Sequence, residues 1–289
     1  MKKIDIAAYA ESLAKEDRTR LGPVIEKELL HYEIIRAMAQ DNLTKDLVFQ
    51  GGTCLRLCYG APRFSEDLDF VGGLDFDADS LVTLKDCITN ALPEKYALTV
   101  RVKEPKPIKV KALVQRWRIV IDTTPSRPDI ASKRISLEVA SIPSYTNEPR
   151  LLQLNYAGIP ASYGDIILTC ESLEEILADK MLAFVCAPQI RYRDLWDMFW
   201  IMRRPGIDID KARELRAMKE TDYGEQEGFQ AGLARVTAEL ETIIESDAFK
   251  LQMQRFLPTD VWFQTVNQPE YRGLLVNGIQ TLYSQDHVS

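Results

Sequence analysis

Behind Pro23, the apolar residues Val24, Leu29, Leu30, Ile34, Ile35 and Met38 follow one another at helical spacing. A proline suits the first turn of a helix, and the pattern predicts one that ends near Asp41-Asn42. Residues 47–49 read as a short buried strand. A second helix starts at Asp79 or Ser80 and runs to about Leu92, where Pro93 ends it. Residues 98–103 and 110–122 alternate like strands, joined through Pro105 and Pro107, and 133–140 form another. Early helix–strand alternation followed by strands predicts a mixed α/β unit ending near residue 165.

After that the periodicity becomes helical. Ser172-Leu-Glu-Glu175 is a capping-box start. The helix behind it carries Leu173, Ile176, Leu177, Lys180, Met181 and Phe184, and Pro188 closes it. Further helices are predicted over 193–202, 209–220, 226–246, 248–256 and 268–284. The many charges of 203–228, with Pro205 and Gly206, suggest a solvent-exposed connection. The expected class is α/β (α+β), with a core domain over residues 1–165 and a helical domain over 166–289.

Composition narrows the chemistry. The chain has 289 residues, 46% of them hydrophobic, and a net charge of −7. A histone-like, wholly basic nucleic-acid binder is excluded, while an enzyme with one local basic groove is not. The apolar stretches are too short to span a membrane. Met-Lys-Lys-Ile-Asp-Ile lacks the apolar segment of a signal peptide, so a cytoplasmic location is expected. The cysteines (Cys54, Cys58, Cys87, Cys170, Cys186) form no metal-ligand spacing and read as free, mostly buried thiols. With only His31 and His287 available, zinc ligation and a Ser-His-Asp triad are disfavoured. His31 reads as a packing or surface residue.

The densest chemistry lies between residues 47 and 70. The strand leads into Gly51-Gly52-Thr53, and Arg63-Phe-Ser65-Glu-Asp67-Leu-Asp69 follows. Two glycines permit a tight turn and the close approach of a phosphate. A helix over 55–59 would present its N-terminal amides to an anion. Asp67 and Asp69, two apart in a strand, point to one face. Such a pair suits a hard divalent cation bridging carboxylates and phosphates.

This stretch resembles the first motif of the polymerase-β-like nucleotidyltransferases and, more narrowly, the AbiEii/AbiGii abortive-infection toxin family. Two later segments extend the resemblance: Glu174-Glu175-Ile-Leu-Ala-Asp179-Lys180, and Arg193-Asp194-Leu-Trp-Asp197. It implies a polymerase-β-like core with a mixed sheet, an NTP substrate and two Mg²⁺ ions. Asp67, Asp69 and Glu138 would be the metal ligands. Gly51, Gly52, Thr53, Arg63, Ser65 and Lys180 would bind the nucleotide. Asp194 would deprotonate or orient the attacking hydroxyl, with Asp197 sharing the role or pairing with Arg191 or Arg193. The resemblance further implies a tRNA 3′ end as acceptor and a separately encoded antitoxin, in a bacterial toxin–antitoxin or phage-defence system.

Several of these residues admit a plainer reading. Glu138 sits in an apolar strand, where it is either a third metal ligand or an edge glutamate facing water. Lys180 has Ile176, Leu177, Ala183 and Phe184 at helical neighbour positions, so it either meets a phosphate or lays its stem along an apolar face. Asp194 also fits as an acid at a helix start with an i,i+3 partner. Arg101, Lys103, Lys106, Lys109, Lys111, Arg116 and Arg118, with Trp117 among them, could grip an RNA backbone and stack a base, or form a solvated strand face. A small-molecule nucleotidyltransferase, a protein-modifying one and a non-catalytic nucleotide-binding partner remain open alternatives.

Overall fold

The alternating segments of the first 170 residues assemble into one seven-stranded mixed sheet. The computed structural model describes residues 3–16, 21–106, 112–127 and 129–284. The chain divides into two units, Met1–Cys170 and Glu171–Ser289.

In the first unit, helices α1 (Ile6–Glu16) and α2 (Gly22–Gln40) precede strand β1 (Val48–Gln50), which runs directly into α3 (Gly51–Cys58). There follow β2 (Leu68–Val71), α4 (Leu84–Lys95), β3 (Thr99–Lys103), β4 (Val114–Asp122), β5 (Lys133–Ala140), β6 (Glu148–Leu151) and β7 (Ile167–Cys170). The sheet order is β3-β4-β5-β2-β1-β7-β6. β1 pairs antiparallel with β2 and parallel with β7, and β2 runs parallel to β5. β7 carries the unit to Cys170, because Cys170 pairs with Phe49 on one side and Glu148 on the other.

One face of the central strands is the core. Leu68, Phe70, Trp117, Ile119, Ile121, Ile135, Leu137 and Val139 all point into it and are buried. Phe49 stacks on Phe70 with ring centroids 4.9 Å apart. Each such side chain contributes about 1.5–3 kcal/mol on burial. The alternate positions of the same strands face the other way and carry polar residues.

α2 buries Glu26, Glu28 and Glu33, and a lone buried carboxylate would be costly. Each meets a cation: Lys133 at 2.7 Å, Arg56 at 2.9 Å and Lys95 at 2.6 Å respectively. His31 is a buried packing residue with Nε2 3.0 Å from the Glu66 carbonyl oxygen. Burial holds its imidazole pKa below the usual value.

α4 departs from expectation. A 3₁₀ turn, Ala78–Leu81, precedes it, and the helix passes through Pro93 to Lys95. Pro93 lacks the N–H that would bond to the Thr89 carbonyl, but only that bond is lost so near the helix end. The strand expected from residue 110 is described from Val114, and residues 107–111 lie outside the described residues.

The second unit is helical: α5 (Leu173–Cys186), α6 (Tyr192–Met202), α7 (Ile209–Tyr223), α8 (Gln226–Glu245), α9 (Asp247–Gln254), α10 (Thr259–Gln264) and α11 (Pro269–Tyr283). Ser172 caps α5, its Oγ accepting from the Glu175 N–H at 3.3 Å. The helix expected over 209–220 is α7, and it gives the 203–228 region, expected to be an exposed connection, a buried side. Asp208 caps the helix, accepting from the Lys211 N–H at 3.0 Å, and Gly224 ends it at φ +71°. Lys219 of α7 is fully buried among Glu171 (2.9 Å), Glu175 (2.9 Å) and Asp179 (3.2 Å). The short α10 had no expected counterpart; six residues hold less than two turns of periodicity. No described helix is long and apolar enough to cross a membrane.

Candidate active site

α3 starts at Gly51, not at residue 55, so the two glycines and Thr53 are its first turn. The amides that open a helix have no acceptor inside it, and here they belong to these three residues. Gly51 has φ +76°, and a Cβ on it would lie 2.7 Å from Asp69 Oδ2. A Cβ on Gly52 would lie 2.5 Å from Arg63 Nη2 and 2.8 Å from Ser65 Oγ. The glycines therefore let the turn sit directly against Asp69, Arg63 and Ser65. The Thr53 hydroxyl is used within the fold: it donates to the Asp67 carbonyl. Arg63 is buried and donates to the Phe64 carbonyl at 2.6 Å.

Strand register brings the acids together. Asp69 pairs with Gln50 on β1 and with Glu138 on β5, and Glu138 pairs with Arg116 on β4. Paired residues share a face, so Gln50, Asp69, Glu138 and Arg116 form one row across four strands. The Arg116 guanidinium lies 2.7 Å from the Glu138 carboxylate. Asp67, just before β2, accepts the Ser136 N–H at 2.9 Å. All three acids are partly solvent-exposed. A donor set made only of carboxylate oxygens fits a hard cation such as Mg²⁺.

The same sheet face carries positive charge toward the β3 edge. Lys103 pairs with Arg118 and Arg101 with Val120, while Arg118 pairs with Ser136 and Val120 with Arg134. Arg101, Lys103, Arg116, Arg118 and Arg134 are all exposed, as is Lys106 beyond the strand. Trp117 corrects the expectation of a stacking platform. Alternation turns it to the core, opposite Leu137, and it is buried. Lys109 and Lys111 lie outside the described residues.

In the second unit, Lys180 finds its partners on α6. Its Nζ is 3.0 Å from Asp194 Oδ1 and 2.7 Å from Asp197 Oδ2, and all three residues are buried. Arg191 adds a second cation to Asp194. Burial alone would raise the Asp194 pKa, but Lys180 and Arg191 outweigh it and hold the carboxyl well below its usual range. So strongly stabilised a carboxylate is a weak proton acceptor and a good anchor for a lysine. Arg193 stacks over Phe256 at 4.9 Å.

A family model for the nucleotidyl transferase AbiEii toxin of type IV toxin–antitoxin systems matches residues 33–269. The chain belongs to the AbiEii family. This AbiEii protein is accordingly a nucleotidyltransferase of the type IV toxin class. Its fold matches that of MenT4, a nucleotidyltransferase toxin from Mycobacterium tuberculosis H37Rv. The TM-score is 0.58 at 18% identity, over 94% of this chain and 98% of that one. JHP933 from Helicobacter pylori matches with a TM-score of 0.50 at 20% identity, over 92% and 95% of the two chains. Identities this low speak for the fold. A search of curated proteins finds no match.

Within the first unit of this AbiEii chain, the expected residues Gly51, Gly52, Arg63, Ser65, Asp67, Asp69 and Glu138 come together around the β1–α3 junction. Lys180 and Asp194 meet each other in the second. Sequence reasoning missed Gln50, Ser136, Arg134 and Lys219. Only Lys219 left a signal: Glu171, Glu175 and Asp179 recur every fourth residue, an acidic stripe that calls for a cation.

Proposed function

We propose that this AbiEii enzyme transfers a nucleoside monophosphate from an NTP to a hydroxyl of an RNA, the tRNA 3′ end being the acceptor that the family resemblance suggests. The observation that carries this reading is the shared sheet face. Exposed Arg101, Lys103, Arg118 and Arg134 continue in strand register from the Asp69–Glu138 pair. A chain of net charge −7 keeps this strip positive beside its acids, and a phosphate backbone is the natural occupant of such a strip.

Asp67, Asp69 and Glu138 would hold Mg²⁺. Bound there, the metal supplies charge neutralisation for the phosphates and activation of the acceptor oxygen. The opening amides of α3, on Gly51, Gly52 and Thr53, would donate to phosphate oxygens. The guanidinium of Arg63, packed against Gly52, adds positive charge to that turn. Lys180 takes the role of triphosphate ligand and Asp194 that of the residue serving the acceptor hydroxyl. The paired state of Asp194 favours orientation of that hydroxyl, or of Lys180, over proton abstraction. Attack on the α-phosphorus expels pyrophosphate. A separately encoded antitoxin would restrain the activity, and cells expressing the protein without it would stop growing.

The test is incubation of the purified enzyme with each labelled NTP and total tRNA in Mg²⁺. Label should enter tRNA and be absent with Asp69→Asn. Label in protein, or only in small molecules, would replace the RNA reading with one of the other acceptors.

A further inference from the structure

Three of the five cysteines, far apart in sequence, converge in the first unit. Cys54 and Cys58 are one helical turn apart on α3, and Cys170 ends β7. Their Sγ atoms all lie within 4.8 Å of one another, and all three residues are buried. The pair on α3 lacks a second pair in sequence; the strand order brings the third thiol in, because β7 runs beside β1 and α3 continues β1.

We propose that Cys54, Cys58 and Cys170 form a site for a thiophilic d¹⁰ cation, Zn²⁺ or Cu⁺, held by three thiolates. Metal–sulfur bonds of about 2.3 Å put the sulfurs of such a site about 4 Å apart, so closure takes a shift of less than about 1 Å. Sulfur-only ligation selects soft ions over Mg²⁺. Arg150 stacks over Tyr59 at 4.5 Å and is ion-paired with Glu148. Glu148 sits opposite Cys170 in the β6–β7 pair and accepts from the Tyr59 hydroxyl at 3.3 Å. Thiols that merely fill space would show no metal affinity.

A bound ion would tie α3 to β7 behind the glycine turn. The site uses none of the carboxylates of the nucleotidyl-transfer reading and is independent of it.

The experiment titrates full-length, fully reduced and chelator-treated protein with Cd²⁺, following the thiolate-to-metal absorbance. Zn²⁺ is then competed against a chromophoric chelator. One equivalent of Cd²⁺ should saturate the signal, and protein preloaded with one Zn²⁺ should release it to Cd²⁺. Cys170→Ser should weaken binding by at least about tenfold, whereas Cys87→Ser, Cys186→Ser and Asp69→Asn should leave it unchanged. Should Cys170→Ser fail to fold, alkylation of wild-type protein decides: metal must protect Cys54, Cys58 and Cys170, but not Cys186. No absorbance at one equivalent in folded protein with five free thiols, or protection of other cysteines, overturns the proposal.

Discussion

Asp69 on β2 and Glu138 on β5 stand directly opposite each other in a parallel strand pair. Two partly exposed carboxylates so placed repel each other unless a cation lies between or beside them. Asp69→Asn should therefore abolish transfer, by about 10²–10³-fold or more, without lowering thermal stability. Glu138→Gln should leave NTP binding in place but raise the Mg²⁺ concentration needed for half-maximal rate. An unchanged Mg²⁺ dependence would make Glu138 simply the partner of Arg116.

Gly51→Ala tests the turn. A left-handed φ costs a non-glycine residue about 1–2 kcal/mol, and the new methyl would also press on the Asp69 carboxylate. Gly206 has φ +81° with nothing within 4 Å of its would-be Cβ. Gly206→Ala should thus show a comparable stability loss with full activity, while Gly51→Ala loses both. Equal activity in the two variants, read from initial rates, would remove the Gly51–Asp69 contact from the mechanism.

Lys219 should be the most sensitive charge of the helical unit. Lys219→Met leaves Glu171 and Glu175 buried, and the half-buried Asp179 beside them, without their cation, a change worth about 3–5 kcal/mol. Urea unfolding measures it, and a shift smaller than about 1 kcal/mol would mean that the three acids are already mostly protonated. Glu171 is pushed well above the usual carboxyl range, chiefly by burial and then by Asp179.

Acid should loosen the Lys180–Asp194 pair late. The folded Asp194 pKa is depressed relative to an unfolded value of about 3.9. Its stabilisation is therefore complete above that pH and is lost as pH falls below it toward the folded value. Asp194→Asn should flatten the fall of Tm between about pH 4 and pH 2 and leave a pH-independent deficit above it. A wild-type-like acid slope in the variant would count against the pairing. Because the carboxylate stays ionised throughout the neutral range, an activity profile with a limb near pH 6–7 would have to come from another group.

Arg118→Glu with Lys103→Glu should reduce tRNA labelling and shallow its salt dependence, each lost phosphate contact lowering the slope by about one. Labelling of any small acceptor should not change. Identical salt slopes for wild type and variant would move the RNA elsewhere.

Strong alternation made β5 legible to the residue, over 133–140. Ser172 announced its helix through local capping chemistry. What escaped was decided by partners distant in sequence. Trp117 looked like an exposed aromatic among arginines, but the strand period sends it to the core. The charges of 203–228 suggested solvent, because Lys219's burial depends on acids forty residues earlier. Cys170 looked solitary until strand order set it beside α3. Pro93 misled for a local reason, since a proline in a last turn removes a single hydrogen bond.

The row Gln50–Asp69–Glu138–Arg116 draws each member from a different strand. A slip of one position in any of these pairings would turn that strand's polar member inward and an apolar one outward. The proposed catalytic face thus exists only when four strands have found their alignment together, and transfer should appear only once the sheet is fully assembled.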